Sequence, residues 1–280
     1  MALSFACALG HAPGILAWRE AAPAEQRERL YQAFGQLRIR LDAARLDCLV
    51  LFTAEHWANF FLDHMSPYCI GRAQEFTGPI EPWLKMERVT VPGAPDLAET
   101  ILTACQEHDI EPGFSYEMQL DHGTMIPLHF LTPDMKLPIV PIVINTLAPP
   151  LPAPRRCFLL GQAVGEVVRR DARRIGVIAT GGMSHDPGER DHGRIDESFD
   201  RRFLETMTRL DAERLKNYTV AQLRAAGAGA VELLNWIALG GALEGARGEV
   251  LAYEPVVPWA TGIGAMAFDV MATSNVMGTS

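Results

Sequence analysis

Val177-Ile-Ala-Thr-Gly-Gly-Met-Ser-His-Asp-Pro187 carries an apolar run into a glycine turn and then delivers a histidine. The run, Ile175 to Ala179, has the length and continuity of a strand buried on both faces. Gly181-Gly182 break it, and His185 follows between Ser184 and Asp186-Pro187. An apolar strand ending in a glycine turn is how an α/β sheet places chemistry at its carboxyl edge. Taken alone, the loop fits equally a histidine that satisfies local hydrogen bonds, and that plainer reading is the commoner one. Three other histidines and one glutamate stand in similarly marked places, and they shift the weight.

Upstream, Leu3 to Leu9 is a second such strand, ending in Gly10-His11-Ala-Pro-Gly14. From Ala24 to about Arg45 the chain is helical, with Leu30, Phe34, Leu37 and Leu41 recurring at spacings of four, three and four. Leu46 to Thr53 is again a continuous apolar run, followed by Ala54-Glu-His56-Trp57. Strand, helix, strand predicts a buried parallel pair whose carboxyl ends lie side by side, which would bring His11 and His56 together. Ser115 to Leu120 is strand-like and opens onto Asp121-His122-Gly123, with a helical turn at Pro127 to Leu131. Leu137 to Asn145 is a buried strand whose Pro138 and Pro141 place it at an edge or a bulge.

Further helices are predicted around Leu97 to Cys105, from about Arg155 to Arg169, and from Phe199 to Leu210. Thr219 and Gln222 have the spacing of a capping box for a short helix that follows. Ala228 to Leu239 is a helix in which Glu232 interrupts an apolar segment. A carboxylate there is costly unless paired or bound to a cation, and the plainer alternative is a surface position on an amphipathic helix. Val250 to Val257 reads as the last strand, residues 62–94 as loops with short strands, 188–200 as a charged loop, and 271–280 as a frayed tail. Together these predict an α/β protein: a three-layer α/β/α sandwich on a mixed, largely parallel sheet, forming one catalytic domain over residues 1–270.

Composition bounds the partners. With 280 residues, 48% hydrophobic and 21% charged, the chain has the balance of a globular protein with a substantial core. A net charge of −9 and the lack of any basic run argue against nucleic acid. No stretch of about twenty apolar residues occurs, so no membrane span is expected. Five cysteines without C-x-x-C spacing fit reduced thiols in a cytoplasmic protein better than disulfides or a zinc knuckle. The Asn217-Tyr-Thr219 sequon is read as chance. A homo-oligomer, a homodimer by default, is expected from base rates of symmetric assembly.

Several familiar motifs fail. Glu55-His56 is no H-E-x-x-H site, since Phe52 and Phe60 stand where its second histidine would be. Gly262-Ile-Gly264-Ala-Met-Ala267 imitates a dinucleotide fingerprint, but too little chain remains for the unit that would follow. What remains is His11, His56, His122, His185 and Glu232. Two neutral imidazoles and one carboxylate make the facial triad that binds Fe(II) with positions left open.

With these residues in view, the sequence resembles the class III extradiol ring-cleaving dioxygenases. That superfamily holds the protocatechuate 4,5-dioxygenase β subunit and 2,3-dihydroxyphenylpropionate dioxygenase. The resemblance runs from Gly10-His11-Ala-Pro13 to Pro258-Trp-Ala-Thr-Gly-Ile-Gly264. Its most specific pieces are Phe52-Thr-Ala-Glu-His56, Met118-Gln-Leu-Asp-His-Gly123, Gly181-Gly-Met-Ser-His185 and Glu232-Leu-Leu-Asn-Trp-Ile237.

The resemblance implies His11 and His56 as histidine ligands of Fe(II), Glu232 as the carboxylate ligand, His185 as the acid–base histidine and His122 as a second active-site histidine. It implies an aromatic substrate with adjacent hydroxyls, of catechol, gallate or hydroxypyridone type, and O₂ as partner. His185 would give a proton to the O–O bond as it breaks, and His122 would hydrogen-bond a developing oxygen anion. Trp57, Thr261 and Gly262 are candidate substrate-binding residues, against the plainer reading of packing and turn positions. His64, His108, His129 and His192 are left as structural or surface residues. Two alternatives stand beside the dioxygenase: a non-enzymatic metal-binding scaffold of the same fold, and a Zn(II)-dependent hydrolase.

Overall fold

Apolar runs and amphipathic helices alternate along the chain, and a computed structural model describes residues 3–187 and 192–270. In chain order the elements are β1 (Leu3–Leu9), α1 (Ala24–Ala44), β2 (Cys48–Ala54), β3 (Tyr68–Gly71), β4 (Glu75–Gly78), β5 (Val89–Pro92), α2 (Pro95–Glu107), β6 (Gly113–Ser115) and α3 (His122–Leu131). Then come β7 (Ile139–Ile144), α4 (Pro154–Arg170), β8 (Ile175–Thr180), α5 (Glu197–Arg209), α6 (Ala212–Asn217), α7 (Val220–Ala225), α8 (Leu233–Ala242), β9 (Arg247–Val256) and β10 (Thr261–Asp269).

Eight strands form one mixed sheet in the order β6-β3-β7-β2-β8-β1-β10-β9, while β4 and β5 pair by themselves. The inner four, β7, β2, β8 and β1, are mutually parallel. Alternation along the strands feeds two cores. Ala6, Ala8, Val50, Phe52 and Val177 face α2, α4, α5 and α8. Phe5, Cys7, Leu9, Leu49, Leu51 and Ile178 face α1 and α3. This is the three-layer α/β/α architecture that the periodicity predicts.

The local order differs from expectation in four places. β1 and β2 are parallel but not adjacent, because β8 lies between them and pairs with both. The strand bearing Pro141 is interior rather than at an edge. Its ladder to β3 ends at Ile142, so the proline sits where that pairing has already stopped. A further strand, β10, follows the one read as last and is buried between β1 and β9. The run from Ser115 to Leu120 is strand only at its start, and the predicted turn near Pro127 is part of a ten-residue helix that begins at His122 itself. The expected tail at 271–280 and part of the expected loop, 188–191, lie outside the described residues.

Among the described residues no helix is long and apolar enough to cross a membrane. All five cysteines are buried and free.

Candidate metal centre

The three parallel strands β2, β8 and β1 end on one edge, and each feeds a histidine to it. Leu9 leads through Gly10 to His11, Ala54 through Glu55 to His56, and Thr180 through the Gly181-Gly182 turn to His185. The intervention of β8 therefore draws the opening loop into the centre of the site. His122 enters from the first residue of α3. Glu232 closes a 3₁₀ turn, Ala228–Glu232, where α8 begins, a helix N-terminus that favours a carboxylate. His11, His122, His185 and Glu232 are buried, and the His56 side chain is 16% exposed.

Each imidazole is held by its far nitrogen. His56 Nδ1 donates to Asp121 Oδ2 at 2.9 Å, and His122 Nδ1 to Glu81 Oε1 at 2.6 Å. His11 Nδ1 lies 3.0 Å from Thr180 Oγ1, whose own proton goes to Thr53 Oγ1 at 3.1 Å, so the histidine is the donor. In all three rings Nδ1 is thus committed to an oxygen, the arrangement typical of metal-ligating histidines. His11 Nε2 is buried and makes no hydrogen bond, although Glu232 Oε2 is 3.1 Å away. His56 Nε2 and His185 Nε2 lie 3.3 and 3.5 Å from Glu232 Oε1. Gly182 N–H fixes the carboxylate from behind, at 2.7 Å to Oε2.

The electrostatics favour a cation. Burial works against the Glu232 carboxylate, but His11 and His185 beside it hold it well below the usual range. Burial and the neighbouring His56 push His122 down to about 4, so it is neutral at neutral pH. For His185, burial lowers the pKa, yet Glu232 and the Met183 carbonyl raise it by more. The orphaned Nε2 of buried His11, the Nε2 of His56 turned to the same carboxylate and the anionic Glu232 form a donor set that fits a divalent metal. Ring nitrogens of His11, His56 and His122 also lie within 4.8 Å of one another, a three-histidine cluster that overlaps the first set.

These groups line a cavity of about 640 Å³ whose other walls are mostly apolar, among them Ala12, Pro13, Trp18, Pro258 and Trp259. Of the expected substrate contacts, Thr261 lines it, whereas Trp57 and Gly262 do not. Trp57 is 43% exposed, and Gly262 instead braces the His185 loop, accepting from Met183 N–H and donating to Ser184 O. His192, expected to be an ordinary surface residue, is exposed yet lines the cavity. Glu81, Asp121 and Thr180 escaped the sequence reading. Asp121 was within reach, being the neighbour of a chosen histidine, whereas Glu81 lies in an irregular stretch that offers no periodic signal.

Residues 5–264 match the family described as the catalytic LigB subunit of aromatic ring-opening dioxygenase. The chain is 31% identical to the 2,3-dihydroxyphenylpropionate/2,3-dihydroxicinnamic acid 1,2-dioxygenase of Burkholderia vietnamiensis, over 92% of this chain and 95% of that one. It is 31% identical to the protein of the same name from Paraburkholderia xenovorans, over 78% and 83% of the two chains. A crystal structure of an uncharacterized protein from Escherichia coli K12 superposes with a TM-score of 0.63 at 16% identity, over 94% of this chain and 99% of that one, a likeness of fold. Matched over nearly its whole length, the chain belongs to the LigB family of class III extradiol enzymes and is a ring-cleaving dioxygenase, a membership that implies a metal cofactor.

Proposed function

We propose that the chain holds one Fe(II) through His11, His56 and Glu232. On this reading it opens an aromatic ring at the bond beside two adjacent hydroxyls and inserts both atoms of O₂. The observation that carries the proposal is the convergence of two imidazoles, each through Nε2, on one buried carboxylate. Fe(II) bound there supplies open positions for a two-oxygen chelate and for O₂, and a path for electrons between them.

The remaining side chains divide the proton work. Neutral His122, with its Nδ1 proton directed at Glu81, offers the cavity an acceptor rather than a donor. Its first task is therefore to take a hydroxyl proton from the diol. Once protonated, it becomes the donor to a developing oxygen anion that the family resemblance implies. His185 holds the proton for the breaking O–O bond, since the carboxylate of Glu232 favours its charged form. Apolar walls keep water from the opening ring.

The substrate class is a catechol, gallate or hydroxypyridone ring. The relatives named above are dioxygenases of 2,3-dihydroxyphenylpropionate, which falls within the catechols. The catalytic domain is taken as residues 1–270, acting in the cytoplasm as a homodimer, and a monomer by sedimentation at micromolar concentration would overturn the last point. The proposal is tested by loading the chain with Fe(II) anaerobically and adding O₂ with a panel of catechols, gallates, aminophenols and hydroxypyridones. Consumption of one O₂ per ring-opened product on a diol is expected, and O₂-independent hydrolysis would overturn it.

A second ligand set has one observation in its favour, the clustering of His122 with His11 and His56. Metal content separates the two. Loss of iron in His122→Phe but not in Glu232→Gln would favour three histidines, and the reverse is expected.

A further inference from the structure

Asp200 stands in the first turn of α5, fully buried, and is not among the residues lining the cavity. Burial pushes its carboxyl up, against three donors that favour the charged form: Ser184 Oγ and Tyr253 OH, each at 2.7 Å, and Ser184 N–H at 2.8 Å. A carboxylate this deep is expensive unless satisfied, and here every donor is specific.

Two of those donors belong to the loop that carries His185, and the backbone one is linked to the histidine through a single peptide. Ser184 N–H and Met183 C=O are opposite ends of a single planar trans peptide. The N–H end donates to Asp200 Oδ1 at 2.8 Å, and the C=O end accepts from His185 Nδ1 at 2.8 Å. The same loop is pinned on its other side by Met183 N–H to Gly262 O at 2.9 Å and Gly262 N–H to Ser184 O at 3.0 Å. Only glycine can stand at 262, because a Cβ there would fall 2.2 Å from Asp200 Oδ2. His185 itself is closed in from the other flank. Its carbonyl accepts from Gly229 N–H at 3.0 Å, and a Cβ on Gly229 would lie 2.0 Å from His185 Nε2.

We infer that Asp200 is the positioning residue of His185, acting through the Met183–Ser184 peptide to set the imidazole's tautomer and direction and to strengthen the carbonyl it donates to. A carboxylate accepting the N–H polarises the peptide, and a polarised peptide is the better acceptor at its oxygen. His185 is thereby held with Nδ1–H committed to the backbone and Nε2 turned toward Glu232 and the cavity. The inference rests on the acid–base reading of His185. It differs from a merely structural anchor, which would hold the loop in place without caring whether His185 is there.

The test is a double-mutant cycle on the Fe(II)-loaded protein with Asp200→Asn and His185→Phe, reading kcat, KM and iron content. Asn keeps the shape and, at Oδ1, the acceptor for Ser184 N–H, but it removes the charge and the acceptor that the two hydroxyls share at Oδ2. Asp200→Asn is expected to lower kcat by about 10-fold, in the range typical of outer-shell partners, with iron content unchanged. KM should stay within about twofold, and in the His185→Phe background the same change should cost less than about twofold, because its only route to the chemistry is gone. An equal loss in both backgrounds overturns the inference and leaves Asp200 an anchor. Undiminished turnover in His185→Phe alone overturns instead the acid–base reading. Should Asp200→Asn fail to fold, histidine ¹⁵N spectra of the Zn(II)-loaded wild-type chain decide. A proton on Nδ1 of His185 is expected, and a ring protonated on Nε2 alone overturns the inference.

Discussion

Asp121 Oδ2 accepts the Nδ1 proton of His56 at 2.9 Å, and the very next residue in the chain, His122, is held in the same manner by Glu81 at 2.6 Å. One short turn thus orients one proposed ligand with its carboxylate and places the imidazole of a proposed proton acceptor beside it, the two rings 4.0 Å apart. Asp121 is buried, and although burial opposes its charge, His56 holds its carboxyl below the usual range. Asp121→Asn should therefore leave the fold intact and weaken metal binding by about 10–100-fold. Anaerobic competition against a coloured chelator measures it, and unchanged affinity would remove Asp121 from the account.

Removing His185 should separate chemistry from metal binding. His185→Phe is expected to keep its iron and to bind the diol anaerobically, while kcat falls by about 10²–10⁴-fold for want of a general acid. That is roughly 3–5 kcal/mol of transition-state stabilisation. Loss of iron along with activity would make His185 a ligand and the proposed triad wrong.

The helix that begins beside Glu232 is seated by glycines. A Cβ at Gly161 of α4 would fall 1.8 Å from the Ala238 carbonyl of α8, and one at Gly241 would fall 2.0 Å from the Phe158 carbonyl. Two backbones this close leave no space for even a methyl group. Gly161→Ala should destabilise the fold by about 1–3 kcal/mol through overpacking, despite the better helix propensity of alanine. The midpoint of urea unfolding reads it, and a midpoint that rises would show that the two helices can part freely.

The opposite edge of the sheet offers a pH test. Where β2 and β8 begin, Arg174 hydrogen-bonds the exposed Asp47 by side chain and backbone and lowers its pKa from 3.8 to about 2. A carboxyl depressed on folding adds stability that is present above its unfolded pKa and fades as pH falls through the folded one. The contribution is small, as for any surface ion pair. Asp47→Asn should lower the urea midpoint slightly at pH 7, flatten its decline between pH 4 and 2, and converge on the wild-type value near pH 2. An unaltered acid slope would show that the pair is idle.

Much of this architecture was readable before any coordinates, for reasons that particular residues make plain. β1, β2 and β8 announce themselves as continuous apolar runs, each broken by a polar or glycine turn just before a histidine. Their order did not, because nothing in Leu3–Leu9 or Cys48–Ala54 names the neighbour, and β8, from far along the chain, takes the place between them. β10 was hidden by Gly262 and Gly264, which look like loop. They are strand residues kept small by Asp200 and Tyr253 in one case, and by Met183 and Trp236 in the other. The histidines were visible as a set. Their partners were not, since a carboxylate such as Glu81 carries no mark in sequence of the ring it will meet.

The central claim is that two histidines and one glutamate hold the iron. Iron stoichiometry in Glu232→Gln, set against the wild-type chain after identical anaerobic loading and desalting, tests it most directly. The wild-type chain should retain one Fe(II) and open a diol ring with O₂. The variant should remain folded, with an unchanged circular dichroism spectrum, and retain almost none. A folded Glu232→Gln chain that still held a full equivalent of iron would contradict the assignment and return the metal to His11, His56 and His122.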